Sequence, residues 1–217
     1  MRVKICGLTD LDSALTCINE GVHALGFIFV PSSPRYLTLE KALSLINKLP
    51  PLVERVGVFA DQEIAEIINI CKNCHLSAIQ IHGKTEDKLY LESLKKQINL
   101  PIIRAFRLNK ETNTNIILKS ISESQDLLNG LLIDSSGSGS VICLDDFKTI
   151  KQNTKLPLIL AGALNVDNLE NIIYKLKEMQ ALPCAIDLCS SLESERGKKD
   201  IQKIKSFMQK FEELKRL

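Results

Sequence analysis

Eight times along this chain a short, largely apolar run is followed by a stretch whose apolar residues recur at helical spacing. Nothing else in the sequence limits the fold so strongly, because parallel strands need a crossover and an amphipathic helix is the usual one. The strand-like runs begin with Val3-Lys4-Ile5-Cys6 and continue with Ala24–Phe29, Val53–Phe59 and Ala78–Ile81, the last leading into His82-Gly83. Pro101–Phe106, Gly130–Asp134, Leu156–Ala161 and Cys184–Leu188 complete the set. The first helical stretch is Leu11–Glu20, stopped by Gly21; the second runs from its cap Thr38 to about Lys48 and is ended by Pro50-Pro51. Asp61 is expected to cap a third that reaches about Lys72, and Thr85 opens a fourth whose Glu86 and Asp87 suit the positive end of the helix dipole. The rest cover about Lys110 to Leu128, a short stretch after Leu144, Val166–Lys177 and roughly Lys198–Leu214.

Ala24-Leu25-Gly26-Phe27-Ile28-Phe29 shows no polar alternation, the pattern of a strand buried on both faces. Eight units in uninterrupted order, with no Pro/Gly/Ser-rich linker between them, fit a closed barrel better than an open sheet. The expected fold is α/β, a single-domain (β/α)8 TIM barrel over residues 1–217. An open doubly wound sheet usually has fewer units and a G-x-G-x-x-G turn after its first strand. Here that turn reads Cys6-Gly7-Leu8-Thr9: the glycine lets the chain turn and Thr9 is placed to cap the first helix. A dinucleotide site is not expected.

Charge and composition narrow the partners. A net charge of +2 with no long basic run points away from nucleic acid and membrane surfaces. No apolar run has membrane-spanning length and no export leader is recognisable, so the chain is read as cytoplasmic. Seven cysteines are an odd count in a chain too large to need disulfides, and reduced thiols are expected. Cys71-Lys72-Asn73-Cys74-His75 spells the C-x-x-C-H of haem attachment, but it falls at a helix end with no second ligand pair nearby; packing at the seam with strand four accounts for it better than haem or zinc. With aromatic residues at 5% and no Trp there is no obvious interface anchor, and a monomer is expected.

In such a barrel the chemistry belongs at the C-terminal ends of the strands. Read in order, those ends offer Cys6, Arg35 in the second loop, His82, Arg107, Asp134, and small-residue loops after strands seven and eight. This is a candidate thiolate base, a carboxyl group and a guanidinium, with no His/Cys/Glu cluster to hold a metal. The loops Ala161-Gly162-Ala163-Leu164 and Cys189-Ser190-Ser191 let backbone N–H groups approach phosphate oxygens. Each residue also has a plainer reading. Cys6 is a small buried hydrophobe, Asp134 caps a turn, Arg35 is a surface arginine, and His82 is a turn histidine bonded to a carbonyl.

The segments KICGLT, ALGFIF followed by SPRY, RVGVF, IQIHG, LLID, GSG, AGAL, DLCSSLE and GKKD occur in that order from Val3 to the last helix. In this the chain resembles the phosphoribosylanthranilate isomerase family of tryptophan biosynthesis. The resemblance implies an Amadori rearrangement of an aminoaldose to an aminoketose, with Cys6 as general base, Asp134 as general acid and no cofactor or metal. It implies that Arg35 meets the anthranilate end and that the late loops bind the ribose phosphate. The substrate-binding set is then Arg35, His82, Gly139, Gly162, Ala163, Ser190 and Ser191. Where the family usually has AGGL, DVSSGVE and a GTGK-like loop, this chain has Ala163, Cys189 with Ser191, and Ser140.

Two other readings are weighed. The related histidine-pathway isomerase performs the same rearrangement with an aspartate at the end of strand one, where this chain has Cys6. A barrel that binds a sugar phosphate without turnover is favoured only by the altered glycines, and Cys6 with Asp134 argues against it.

Overall fold

All eight apolar runs become parallel strands, each hydrogen-bonded to the next, and the last pairs with the first to close a barrel. The structure is a computed structural model that describes residues 1–83, 88–108, 113–135 and 143–215. The strands are β1 (Arg2–Cys6), β2 (Ala24–Ile28), β3 (Glu54–Ala60), β4 (Ala78–His82), β5 (Ile102–Arg107), β6 (Gly130–Asp134), β7 (Leu158–Ala161) and β8 (Ala185–Leu188). The helices are α1 (Leu11–Asn19), α2 (Leu39–Ile46), α3 (Ile64–Asn73), α4 (Lys88–Gln97), α5 (Thr114–Ser124), α6 (Leu144–Gln152), α7 (Leu169–Glu178) and α8 (Ile201–Lys215).

Alternation along each strand divides the buried residues into two populations. One side of the strands packs with the helices: Val3, Ile5, Leu25, Phe27, Ile79 and Ile81 join helical residues such as Ala14, Ile67, Leu94 and Phe207 in the main core. Each fully buried Leu, Ile or Phe there contributes about 1.5–3 kcal/mol. The other side faces the barrel axis, where Leu132, Ile159, Ala161 and Ala185 pack with Ile103 and Ala105. Above them Cys6, Ile28 and Val58 pack with Val30 and Cys189. Side chains therefore fill the barrel interior, and a cavity opens at its C-terminal mouth.

Several local expectations are corrected by the structure. Thr9 does not cap α1: Asp10 does, its carboxylate accepting from Ser13 N at 2.8 Å, while the Thr9 hydroxyl donates to the Gly197 carbonyl. Nor does Asp61 cap α3; it sits at φ 58°, and α3 starts after Glu63. The fifth helical stretch is shorter than expected, α5 being followed by a separate 3₁₀ turn at Gln125–Leu127. The seventh begins at Leu169 rather than Val166, because Asn165 and Asn168 bond each other's backbone and hold a turn first. Lys198 and Lys199 are not the start of the last helix. They form β10 (Lys198–Lys199), antiparallel to β9 (Glu193–Glu195), and α8 follows at Ile201. Thr85 and residues 136–140, including Gly139, lie outside the described residues.

Cys71 and Cys74 pack in the main core on the inner face of α3, and burial pushes their thiols up to about 12 and about 11. Among the described residues no helix is long and apolar enough to cross a membrane, and no group of three or more His, Cys, Asp or Glu is placed to hold a metal.

The chain leaves β7 through two successive left-handed residues, Gly162 at φ 87° and Ala163 at φ 49°. Glycine adopts that conformation freely, whereas a Cβ makes it cost about 1–2 kcal/mol. Asn168 holds the strained residue by donating from Nδ2 to the Ala163 carbonyl at 2.6 Å. Ala163→Gly relieves the strain but adds freedom to the unfolded chain, worth about 0.4–1 kcal/mol the other way. The expected net gain is about 0.5–1 kcal/mol, or roughly 1–4 °C in Tm for a chain of this length. Thermal unfolding checks it, and a lower Tm in the variant would contradict the strain.

Candidate active site

A cavity of about 620 Å³ opens at the C-terminal mouth, within the size range of small-molecule sites. Cys6, Arg35, His82, Arg107, Asp134, Gly162, Ala163, Ser190 and Ser191 all line it. The structure therefore brings together every described residue singled out from the strand ends.

Cys6 ends β1, and two glycines make its place. A Cβ on Gly26, its partner on β2, would lie 2.8 Å from Cys6 Sγ and 2.9 Å from its Cα. At Gly7, where φ is 74°, a Cβ would stand 2.5 Å from Arg35 Cδ and 3.2 Å from Cys189 Sγ. Cys6 is buried, yet the Cys189 thiol donates a hydrogen bond to it and the ammonium groups of Lys4 and Lys199 add positive charge. These effects outweigh burial and hold the Cys6 thiol well below its ordinary value. The same contact, with burial, pushes Cys189 up.

The sequence reading missed the groups that create this environment. Lys4 sits two residues before Cys6 on the same face of β1, with Nζ 3.0 Å from both carboxylate oxygens of Asp187 across the β1–β8 seam. Burial opposes the charge on Lys4, but Asp187 and Cys6 raise its pKa above the ordinary value. Burial pushes the Asp187 carboxyl up to about 7 despite the lysine. Part of the signal was available, since each is a charged residue flanked on both sides by apolar ones, but the closed barrel decides which face of the strand points inward.

Arg35 is neither an exposed surface arginine nor an uncommitted fork. Its Nε and Nη2 donate to the two carboxylate oxygens of Glu193 at 2.6 and 2.7 Å. Glu193 also accepts from Lys199 Nζ at 3.0 Å and from Gly197 N at 3.2 Å. Burial works against the carboxylate, but these donors hold it down to about 2. Lys199 in turn donates to the Cys189 carbonyl at 2.9 Å and stands 3.8 Å from its sulfur. The hairpin of β9 and β10 thus ties Arg35 and Cys189 together.

Across the mouth Asp134 ends β6, three strands from β1 the short way round, in register with Arg107 on β5. His82 is the last residue of β4 rather than a turn histidine, and its Nε2 is 2.6 Å from Gln80 Nε2. Burial lowers its pKa, so the imidazole is neutral near pH 7. Gly162 and Ala163 form one small-residue wall of the cavity, and a 3₁₀ turn at Ser190–Leu192 forms the next. The result is a buried thiol with lowered pKa facing a carboxyl group, with loops rich in backbone N–H groups to one side.

A sequence model of the family described as N-(5'phosphoribosyl)anthranilate (PRA) isomerase matches residues 3–210. Among curated proteins, an N-(5'-phosphoribosyl)anthranilate isomerase from a Nitratiruptor species is 36% identical over 214 residues, covering 97% of this chain and 98% of its own length. The crystal structure of phosphoribosyl anthranilate isomerase from Thermus thermophilus superposes with a TM-score of 0.82 at 31% identity, covering 99% of this chain and all of its own. Another crystal structure of the enzyme, in complex with reduced 1-(o-carboxyphenylamino)-1-deoxyribulose 5-phosphate, gives 0.82 at 29% identity, covering 98% of this chain and 99% of its own. With a family match over nearly its whole length and a barrel of the same architecture, the chain belongs to the phosphoribosylanthranilate isomerase family of aldose–ketose isomerases.

Proposed function

We infer that the protein converts N-(5'-phosphoribosyl)anthranilate to 1-(2-carboxyphenylamino)-1-deoxyribulose 5-phosphate, with Cys6 as general base and Asp134 as general acid. The observation that supports this division of labour is that the Cys6 thiol and the Asp134 carboxyl line one cavity from the ends of two well-separated strands, β1 and β6. Asp134 protonates the ribose ring oxygen as the C1–O bond breaks, leaving an iminium at C1. That cation acidifies the C2 hydrogen, and the Cys6 thiolate removes it. The resulting enolamine tautomerises to the ketone, so no electron leaves the substrate and no redox partner is needed. The lowered pKa of Cys6 supplies the thiolate that an ordinary thiol, with pKa about 8.5, mostly lacks at neutral pH.

Binding is assigned to the surrounding loops. Gly162, Ala163, Ser190 and Ser191 take the phosphate through backbone N–H groups. Arg35, held flat by Glu193, turns its remaining N–H edge to the anthranilate carboxylate. The neutral His82 closes the β4 side of the cavity and the expected role of Gly139 lies with the phosphate.

Cys6→Ser and Asp134→Asn should each lower kcat by about 100- to 10,000-fold with folding intact, the usual worth of a positioned base or acid. Substrate generated in situ and followed by its fluorescence gives the rate. A Cys6→Ser protein with wild-type kcat would remove Cys6 from the mechanism.

The pH profile carries the sign of the Cys6 shift. Because its pKa is depressed, the acid limb of kcat/KM should lie at lower pH than an ordinary thiol would give, with activity falling as the medium becomes acidic enough to protonate the thiolate. Lys4→Met removes a positive charge that favours the thiolate, so the acid limb should move to higher pH while Asp187 takes up a proton. Circular dichroism monitors the fold, and an acid limb that stays in place would break the link from Lys4 to Cys6.

A further inference from the structure

We propose that Cys6 and Cys189 form a covalent modification site, a dithiol that a peroxide converts reversibly into a disulfide across the seam between the first and last barrel strands. β1 and β8 run in register from Arg2 and Ala185 to Ile5 and Leu188, so the next residues along the two chains are Cys6 and Cys189. Neighbouring strands lie about 4.8 Å apart, inside the roughly 4.4–6.8 Å that disulfide-linked Cα atoms span. Both side chains turn into the barrel, pack in one small cluster and line the same cavity. The Cys189 sulfur lies 3.2 Å from where a Cβ on Gly7, the residue after Cys6, would stand, so the two thiols are neighbours before any oxidation. Cys189 is also partly exposed, which gives an oxidant access from the mouth.

The charges around the pair suit the chemistry in sequence. Cys6, the thiol with the lowered pKa, attacks one oxygen of the peroxide as its thiolate. The O–O bond breaks, hydroxide leaves and is protonated to water, and Cys6 has lost two electrons to become a sulfenic acid. A sulfenic acid no longer draws the Cys189 proton, and Lys199, 3.8 Å from the Cys189 sulfur, then favours its thiolate. That thiolate attacks the Cys6 sulfur, the S–O bond breaks, the S–S bond forms, and hydroxide leaves with the released proton as a second water. Two thiols and one hydrogen peroxide give one disulfide and two waters. A thiol reductant reverses the change by exchange through a mixed disulfide.

The other buried cysteines are not built this way. Cys17, Cys71 and Cys74 are buried with their thiols pushed up to about 12, 12 and 11, so the first step is closed to them. The disulfide site stands on the strand register and on the packing cluster and cavity that the two cysteines share. Loss of activity on oxidation rests in addition on Cys6 being the base.

The test treats fully reduced protein with hydrogen peroxide, then maps disulfides by mass spectrometry of a non-reduced tryptic digest. The expected product is the peptide of residues 5–35 joined to that of residues 178–196, with fragmentation assigning the bond to Cys6 and Cys189 rather than Cys17 and Cys184. Activity should fall about 100-fold or more, the worth of a lost base, and return with dithiothreitol. In Cys189→Ser, compared with its own untreated rate, peroxide should drive Cys6 to sulfinic acid and dithiothreitol should not restore the loss. Cys6 carried to sulfinic acid in the wild type with Cys189 still free would overturn the dithiol site. A Cys6–Cys189 bond in a fully active protein would confirm the site and overturn Cys6 as the base.

Discussion

The contact on which the mouth of this barrel depends is the buried pair of Lys4 and Asp187. It spans the seam where the first strand meets the last, joining side chains 183 residues apart in the sequence. Removing two such charges from water costs several kcal/mol per ion, and their attraction seldom returns much more than that. The pair is therefore weak grounds for stability, and apolar side chains of similar volume would close the seam as well. What they would not supply is a positive charge fixed two residues from Cys6. Lys4 faces two acids, the Asp187 carboxyl and the Cys6 thiol, and cannot fully stabilise the ionised form of both. Asp187 is accordingly pushed up to about 7, with Cys6 among the causes, while Cys6 is held low.

A second set of ions completes the balance from outside the barrel. Glu193 holds Arg35 on one side and Lys199 on the other, and Lys199 reaches the carbonyl and sulfur of Cys189. Around the two thiols there are thus three cations, Lys4, Lys199 and Arg35, against the carboxylates of Asp187 and Glu193. With both carboxylates ionised, a thiolate on Cys6 would make this group neutral. The hairpin that carries Glu193 and Lys199 belongs to no barrel strand, yet it sets the electrostatics at the barrel's first one.

The fold was legible because its signal repeats. Each strand and helix gave its own period, and errors at single boundaries did not alter the order. What failed was local and had local causes. Asp10 outcompetes Thr9 as a cap because its carboxylate reaches both the backbone N–H and the hydroxyl of Ser13. Lys198 and Lys199 read as helical because lysine suits helices, and only the tight hairpin that pairs them with Glu195 and Glu193 makes them a strand. In the site, residues at strand ends were legible from position alone. Lys4 and Asp187 were not, because which face of a short strand points inward is decided by the closed barrel. Glu193 and Lys199 stood inside recognisable segments, but their tie to Arg35 joins positions 158 residues apart.

The cysteines show most directly why a residue's type and burial do not settle its chemistry. Cys6, Cys17, Cys71 and Cys74 are all buried at 5% exposure or less, and composition treats them alike. Burial alone disfavours a thiolate, and in Cys17, Cys71 and Cys74 it prevails. At Cys6 the same penalty is overcome by one thiol donor and two ammonium groups, each brought there by a different segment: β1 itself, the turn after β8, and β10. Gly26 and Gly7 add no charge but leave the space in which sulfur, arginine and second thiol meet. A side chain at either position would force these groups apart before any of them could be tuned. The lowered pKa of this thiol is thus set by what surrounds it, and closure of the barrel is what brings those surroundings together.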